Sequence, residues 1–263
     1  MSEIRETYHN DGEIASISYH NEKGLLHREG DLPSILCFFK SGTLKYEKYC
    51  INGQKHREDN KPAYIKYNKN GDVIYIAYYK NDKLHNDTDA ALLKYYDNGI
   101  LQEKKHCLNG QYRILDCTKP AHSVFFRSGK IKLMEYYKNY VLHRDFDMPA
   151  FISYYENGDF CTVSYFINGN NARISPDLPS SVTYEKGVVI YQKFSNEKGE
   201  LSISDNFRRP VEYYRNESQT IYKIGNRLMK GYKYIEFLSE NKLSTNPMLL
   251  TDEEVDTIKL LFY

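Results

Sequence analysis

The chain of 263 residues has no tryptophan, and its formal net charge is +1 (36 Lys+Arg against 35 Asp+Glu). A general nucleic-acid binder carries a clear basic excess, so the charge balance disfavours that class. No run approaches the ~18 consecutive apolar residues that a membrane-spanning helix needs. The opening residues MSEIRETYHN are polar and lack the apolar segment of a signal peptide. Cysteines are few and odd in number: Cys37, Cys50, Cys107, Cys117 and Cys161, with no CxxC pair. That pattern predicts free thiols in a reducing, cytoplasmic compartment. Enzyme signatures are missing as well: the sequence has no GxSxG, no HExxH, no Walker loop and no GxGxxG after a strand. No cofactor is expected.

What is present is a beat. A glycine follows an aromatic-rich run at Gly12, Gly42, Gly71, Gly99, Gly129, Gly158 and Gly187, about every 29 residues. A second turn, Asn-Gly at Asn52-Gly53, Asn109-Gly110 and Asn168-Gly169, falls on the same beat at every second step. Pro33, Pro62, Pro120, Pro149, Pro179 and Pro210 precede the first strand of successive units, where proline sacrifices no ladder bond. After the proline, residues alternate, as in Ala63, Ile65, Tyr67 and Ala150, Ile152, Tyr154. Period two marks a strand with one buried face. In the returning strand, the apolar positions fall two and seven places after the glycine, which are opposite faces of a regular strand. Either both faces are covered or a bulge shifts the phase. The 26 tyrosines suit half-wet strands, since the ring covers a sheet face while the hydroxyl reaches water.

These features predict an all-β chain of tandem β-hairpin repeats forming an elongated meander sheet or solenoid. Residues 1–212 form the repeat domain. Residues 213–263 form a divergent last repeat and a helical cap, in which Thr251 and Glu254 make a capping box ahead of Val255, Ile258 and Leu261. The helix either closes the stack or docks a partner. Uncovered edge strands make pairing between copies of the chain an expectation too.

Three sets of residues are candidate sites. The first is a polar column after the second turn: His27-Arg28, His56-Arg57, His85 and His143-Arg144, with Asp31, Asp59, Asp147 and Asp177 nearby. Its members either fix the connection through charge-assisted bonds or, in a tighter coil, hold a metal. Equivalent residues one hairpin apart sit ~9.6 Å apart, too far to share a zinc ion. The second is the aromatic column Phe39, Tyr96, Phe126 and Tyr155, read as cross-strand pairs or as stacking platforms. The third is Arg208-Arg209, where the repeat breaks.

The segment Asn52-Gly53-Gln54-Lys55-His56-Arg57-Glu58-Asp59-Asn60-Lys61-Pro62-Ala63 resembles the "NGxxHRxDGPA" repeats of giant DNA viruses, phages and bacteria. The Tyr-Tyr-x-Asn-Gly hairpin half is similar to the MORN-repeat variant of antitoxin-like bacterial proteins. The resemblance covers residues 4–200. The chain departs from it where Leu32, Lys61, Met148 and Leu178 replace the family glycine, which implies a differently shaped loop. It implies a β scaffold for binding and carries no catalytic residues. The expected function is a non-enzymatic surface that binds a protein partner, as a viral or host-interaction factor. The alternative is a glycan or nucleotide module using Tyr and Arg platforms.

Overall fold

The computed structural model describes residues 3–113, 118–174, 178–193 and 195, and the strands Glu212–Asn216, Gln219–Ile224 and Arg227–Lys230. The C-terminal helix expected from Thr251 onward, Arg208 and Arg209 lie outside the described residues. The described residues are strands, turns and connections, with no helix among them. Two compact units divide the chain, Met1–Val141 and Leu142–Tyr263.

In the first unit the neighbouring strands run Glu3–Tyr8, Ile14–His20, Ile35–Phe38, Leu44–Lys48, Tyr64–Tyr67, Val73–Ala77, Leu92–Tyr95, Leu101–Lys105, His122–Phe125 and Ile131–Glu135. Every neighbour is antiparallel and next in the meander, as tandem hairpins require. The second unit repeats the scheme with Phe151–Tyr154, Phe160–Ser164, Ser181–Glu185 and Val188–Lys193. It also holds an antiparallel three-stranded sheet made by Glu212–Asn216, Gln219–Ile224 and Arg227–Lys230.

The repeated glycines are dictated by the turn. At Asn68–Asp72, Gly71 N–H donates to the Asn68 carbonyl and Asn68 N–H to the Asp72 carbonyl, while Asn68 Oδ1 accepts from the amides of Asn70 and Asp72. Gly71 sits at φ +89°, and its counterparts in the other copies lie between +77° and +102°. That left-handed region costs a residue with a Cβ about 1–2 kcal/mol.

A bulge follows each turn and settles the phase. Register jumps by one residue in each of the seven hairpins that carry the repeated glycine, skipping Ala15, Lys45, Ile74, Gln102, Lys132, Cys161 and Ile190, each the third residue after its glycine. Val73 therefore pairs with Tyr67, and Ile76 with Ile65. Tyr78, two places on, falls on the same side in register. The apolar positions thus share a face despite their odd separation.

Register then assigns the rows across the first unit. One face carries Ile17, Leu36, Glu47, Ile65, Ile76 and Leu93 in consecutive strands. The other carries Tyr46, Lys66, Tyr75 and Lys94 in one row and Lys48, Tyr64, Ala77 and Leu92 in the next. Most of these side chains are only half-buried on either face. The full burial is concentrated elsewhere, in the small residue after each proline or its substitute: Ser34, Ala63, Ala91, Ala121, Ala150 and Ser180. Each sits where one more rung of backbone pairing closes. Ala63 N–H donates to the Ala77 carbonyl, and the Ala63 carbonyl accepts from Tyr49 N–H.

Past that rung the chain leaves the sheet and makes a second, very short hairpin, as in Cys50–Ile51 with Gln54–Lys55. Its turn residues, Asn52-Gly53, Asn81-Asp82, Asn109-Gly110 and Asn168-Gly169, all have positive φ. That is the type I′ geometry for which Asn-Gly is the favoured pair. Consecutive short hairpins are tied by backbone bonds, Gly53 N–H to the Leu26 carbonyl and Asp82 N–H to the Lys55 carbonyl.

Candidate functional site

The His column is a set of clamps between successive repeats. Nδ1 of His27 accepts the backbone N–H of Asn52, 25 residues on, at 3.1 Å. His56 does the same for Asn81 at 3.3 Å, His85 for Asn109 at 3.2 Å and His143 for Asn168 at 3.1 Å. The other ring nitrogen turns to an acid two residues ahead. His56 Nε2 is 2.8 Å from Glu58 and His143 Nε2 is 3.0 Å from Asp145. For His27, His56 and His143 the role of Nδ1 follows from geometry, because a nitrogen that accepts an amide N–H carries no proton of its own, whereas Nδ1 of His85 also lies 3.0 Å from Asn109 Oδ1. The His56 contact in turn holds the Glu58 carboxyl below its ordinary value.

The arginines complete the same connection. Arg57 lies over the Tyr49 ring at 3.6 Å, donates from Nη1 to the Pro62 carbonyl at 3.0 Å, and grips Asp31 of the preceding repeat through Nε at 2.6 Å. Arg28 stacks on Tyr19 and reaches the Pro33 carbonyl; Arg144 reaches the Pro149 carbonyl. Arg173 stacks on Tyr165 and pairs with Asp147, again 26 residues back. The third repeat has Asn86 in this slot, and its Nδ2 donates to the Ala90 carbonyl. The Arg57 and Lys61 hydrogen bonds hold the Asp31 carboxyl far below the usual carboxylate range. Among the described residues no group of His, Cys, Asp and Glu is arranged to hold a metal ion.

The aromatic column also reaches across repeats. The Tyr96 hydroxyl donates to the Phe125 carbonyl and the Tyr155 hydroxyl to the Tyr184 carbonyl, each 29 residues on and each at 2.9 Å. Phe39 and Phe126 carry the ammonium groups of the bulge lysines Lys45 and Lys132 near their rings, at 5.7 and 5.5 Å. The hydroxyls and the lysines therefore engage the column within the protein.

Two features were not singled out from the sequence. The first is His122, which fills a slot held elsewhere by Ile35, Tyr64, Leu92, Phe151 and Ser181. Its Nδ1 is 2.7 Å from Glu135 and its Nε2 is 3.0 Å from Glu103. Lys105 pairs with Glu103 at 2.8 Å, the Tyr137 hydroxyl donates to Glu135, and the Tyr112 ring lies between Tyr137 and His122. Burial pushes Glu103 up, but Lys105 and His122 outweigh it and hold the carboxyl below its ordinary value. Burial drives the Tyr112 hydroxyl up to about 12. Within the network the imidazole, both carboxylates, the Lys105 ammonium and the Tyr137 hydroxyl have partners.

The second is Phe146, which takes the slot of Gly30 and Asp59 in the loops 27–33 and 56–62. All three are left-handed, with φ +63°, +75° and +58°. A bulky aromatic at positive φ is a genuine outlier. Phe146 is nonetheless 79% exposed, the most exposed large apolar residue among those described. Ile174 and Leu178 are exposed in the next connection of the same unit. Beside Phe146 opens a cleft of about 260 Å³ lined by Arg144, Met148, Tyr165, Phe166 and Ile174. The signal was in the alignment of loops: Phe stands where the backbone asks for Gly or Asp.

No family model matches the sequence, and no curated protein matches it. Among solved structures, a chain of "Crystal Structure of TcdB2-TccC3-Cdc42" aligns with 87% of this chain at 11% identity and a TM-score of 0.14. The alignment spans 13% of that chain's length, and a score of that size carries no argument about fold or function.

Proposed function

We propose that this chain is a non-enzymatic repeat scaffold that binds a protein partner, of the kind its NGxxHRxDGPA-like units resemble. Phe146 carries the reading. A strained backbone with an exposed aromatic persists only where something else favours it, and exposed aromatics beside a cleft are what interface anchors look like. The columns are consistent with a scaffold, since their polar groups are spent on joining repeats. Free thiols at Cys37, Cys50, Cys107 and Cys161 support a reducing, cytoplasmic setting, in a host cell if the source is viral. The glycan or nucleotide alternative calls for open ring faces with unengaged hydroxyls, and Tyr96 and Tyr155 have committed theirs.

The test is affinity capture with wild-type protein and Phe146→Asn. Asn tolerates left-handed φ, so the variant stays folded. The proposal expects a captured protein that the variant loses. Equal capture by both would remove Phe146 as the anchor.

A further inference from the structure

The columns leave the lysine–tyrosine face of the first unit unexplained. Tyr46 and Tyr64 meet edge to face at 5.7 Å, and Tyr64 and Tyr75 at 5.6 Å. Lys48 lies 5.4 Å from the Tyr64 ring centre, and Lys66 lies 5.3 Å from it and 5.4 Å from that of Tyr75. These rings pack on one another and carry ammonium groups at their faces. They are poorly placed to stack on a sugar or a base, which needs a free π face.

What the face presents is positive charge without its counterpart. Neither Lys48 nor Lys66 is in an ion pair among the described residues; the paired lysines there include Lys40, Lys55, Lys61, Lys104 and Lys105. Along the row Tyr46, Lys66, Tyr75, Lys94, the first carboxylate is Glu103, which Lys105 and His122 already share. Burial raises the hydroxyls of Tyr46, Tyr64 and Tyr75, so the rings add no negative charge at neutral pH. Lys66 and Lys94 flank Tyr75 from two strands apart, ~9.6 Å. An extended chain rises ~3.3 Å per residue, so a run of acidic residues brings a carboxylate to each ammonium.

We infer that this face, with Lys48, Lys66 and Lys94 as its cations, docks an acidic, extended polypeptide segment. The inference rests on the protein-scaffold reading and gives the partner its chemistry. Carboxylates suit it because a lysine ammonium is a compact point charge that asks for no ring to stack.

The experiment uses the full chain and a fluorescent deca-glutamate peptide, followed by anisotropy at low salt and again at 0.5 M NaCl. Binding is expected at low salt and is lost at high salt, where exposed charges are screened within ~4 Å. Lys48→Gln/Lys66→Gln weakens it by about tenfold, the effect of removing two exposed pairs worth ~0.7 kcal/mol each. Lys48→Arg/Lys66→Arg keeps the charges and the affinity, which separates charge loss from misfolding. Lys23→Gln/Lys69→Gln, two exposed turn lysines, leaves binding unchanged. No binding by the wild type, an equal loss in the turn control, or tighter binding of a ten-nucleotide single strand or of anionic phosphatidylserine vesicles than of the peptide would overturn the inference. If the wild type captures a protein that the Lys48→Gln/Lys66→Gln variant captures equally well, the acidic-segment inference fails while the scaffold reading stands.

Discussion

Replacing Arg57 by Met keeps the aliphatic stem and deletes the guanidinium, so it isolates what the clamp contributes between repeats. The cation over Tyr49 at 3.6 Å is worth about 1 kcal/mol. The Pro62 carbonyl loses its charged donor at a cost of about 1 kcal/mol. The Asp31 pair is short, but the Asp31 side chain is 43% exposed, so solvent screening leaves that contribution small. Together these give a loss of about 2–3 kcal/mol, read from the urea midpoint by tyrosine fluorescence with an unchanged m-value. Arg57→Asn should lose about 1 kcal/mol less, because Asn86 already serves the matching carbonyl in the third repeat. A loss below about 0.5 kcal/mol for Arg57→Met would refute the reasoning and class the clamp with ordinary surface ion pairs.

Three further outcomes are expected. Because the folded-state Asp31 carboxyl is held below its unfolded value, its contribution is present at neutral pH and is lost as pH falls through and below the usual carboxylate range. Asp31→Asn therefore flattens the acid limb of the stability curve, measured by urea unfolding from pH 7 down to pH 3. Ala63→Val puts two methyl groups into a position of 0% exposure and costs about 1–3 kcal/mol by the same assay, whereas Val73→Ala, at the exposed first residue of its strand, costs under about 1 kcal/mol. In native protein a thiol reagent labels Cys37 and Cys161 ahead of Cys50 and Cys107, which are buried; burial raises both buried thiols, Cys107 to about 11.

The hairpin repeat was legible because its turns need particular residues. Glycine at +77° to +102° and Asn-Gly in type I′ turns leave marks that no packing can disguise. The bulge was legible only as a conflict between positions two and seven, since a skipped residue such as Ile74 carries no special side chain. The His-Arg column was visible as a repeat, but its span was not. That His56 serves Asn81 depends on the next short hairpin lying alongside, a tertiary fact with no local signature. Tyr140 shows the limit of motif reading: Asn139-Tyr140 adopts positive φ at both residues, as Asn-Gly does, without the glycine. His122 and Phe146 were missed for opposite reasons. One substitutes for an apolar residue inside a strand, and the other breaks a backbone preference in a loop.

The central claim, that Phe146 is an anchor for another protein, is tested most directly at that residue. Photo-reactive benzoylphenylalanine placed at position 146 preserves the aromatic ring and reports what touches it. Irradiation in the native cellular extract should give a discrete protein adduct at 146 and none at the exposed turn residue Lys23. No protein adduct at 146, or the same adducts at both positions, would contradict the account.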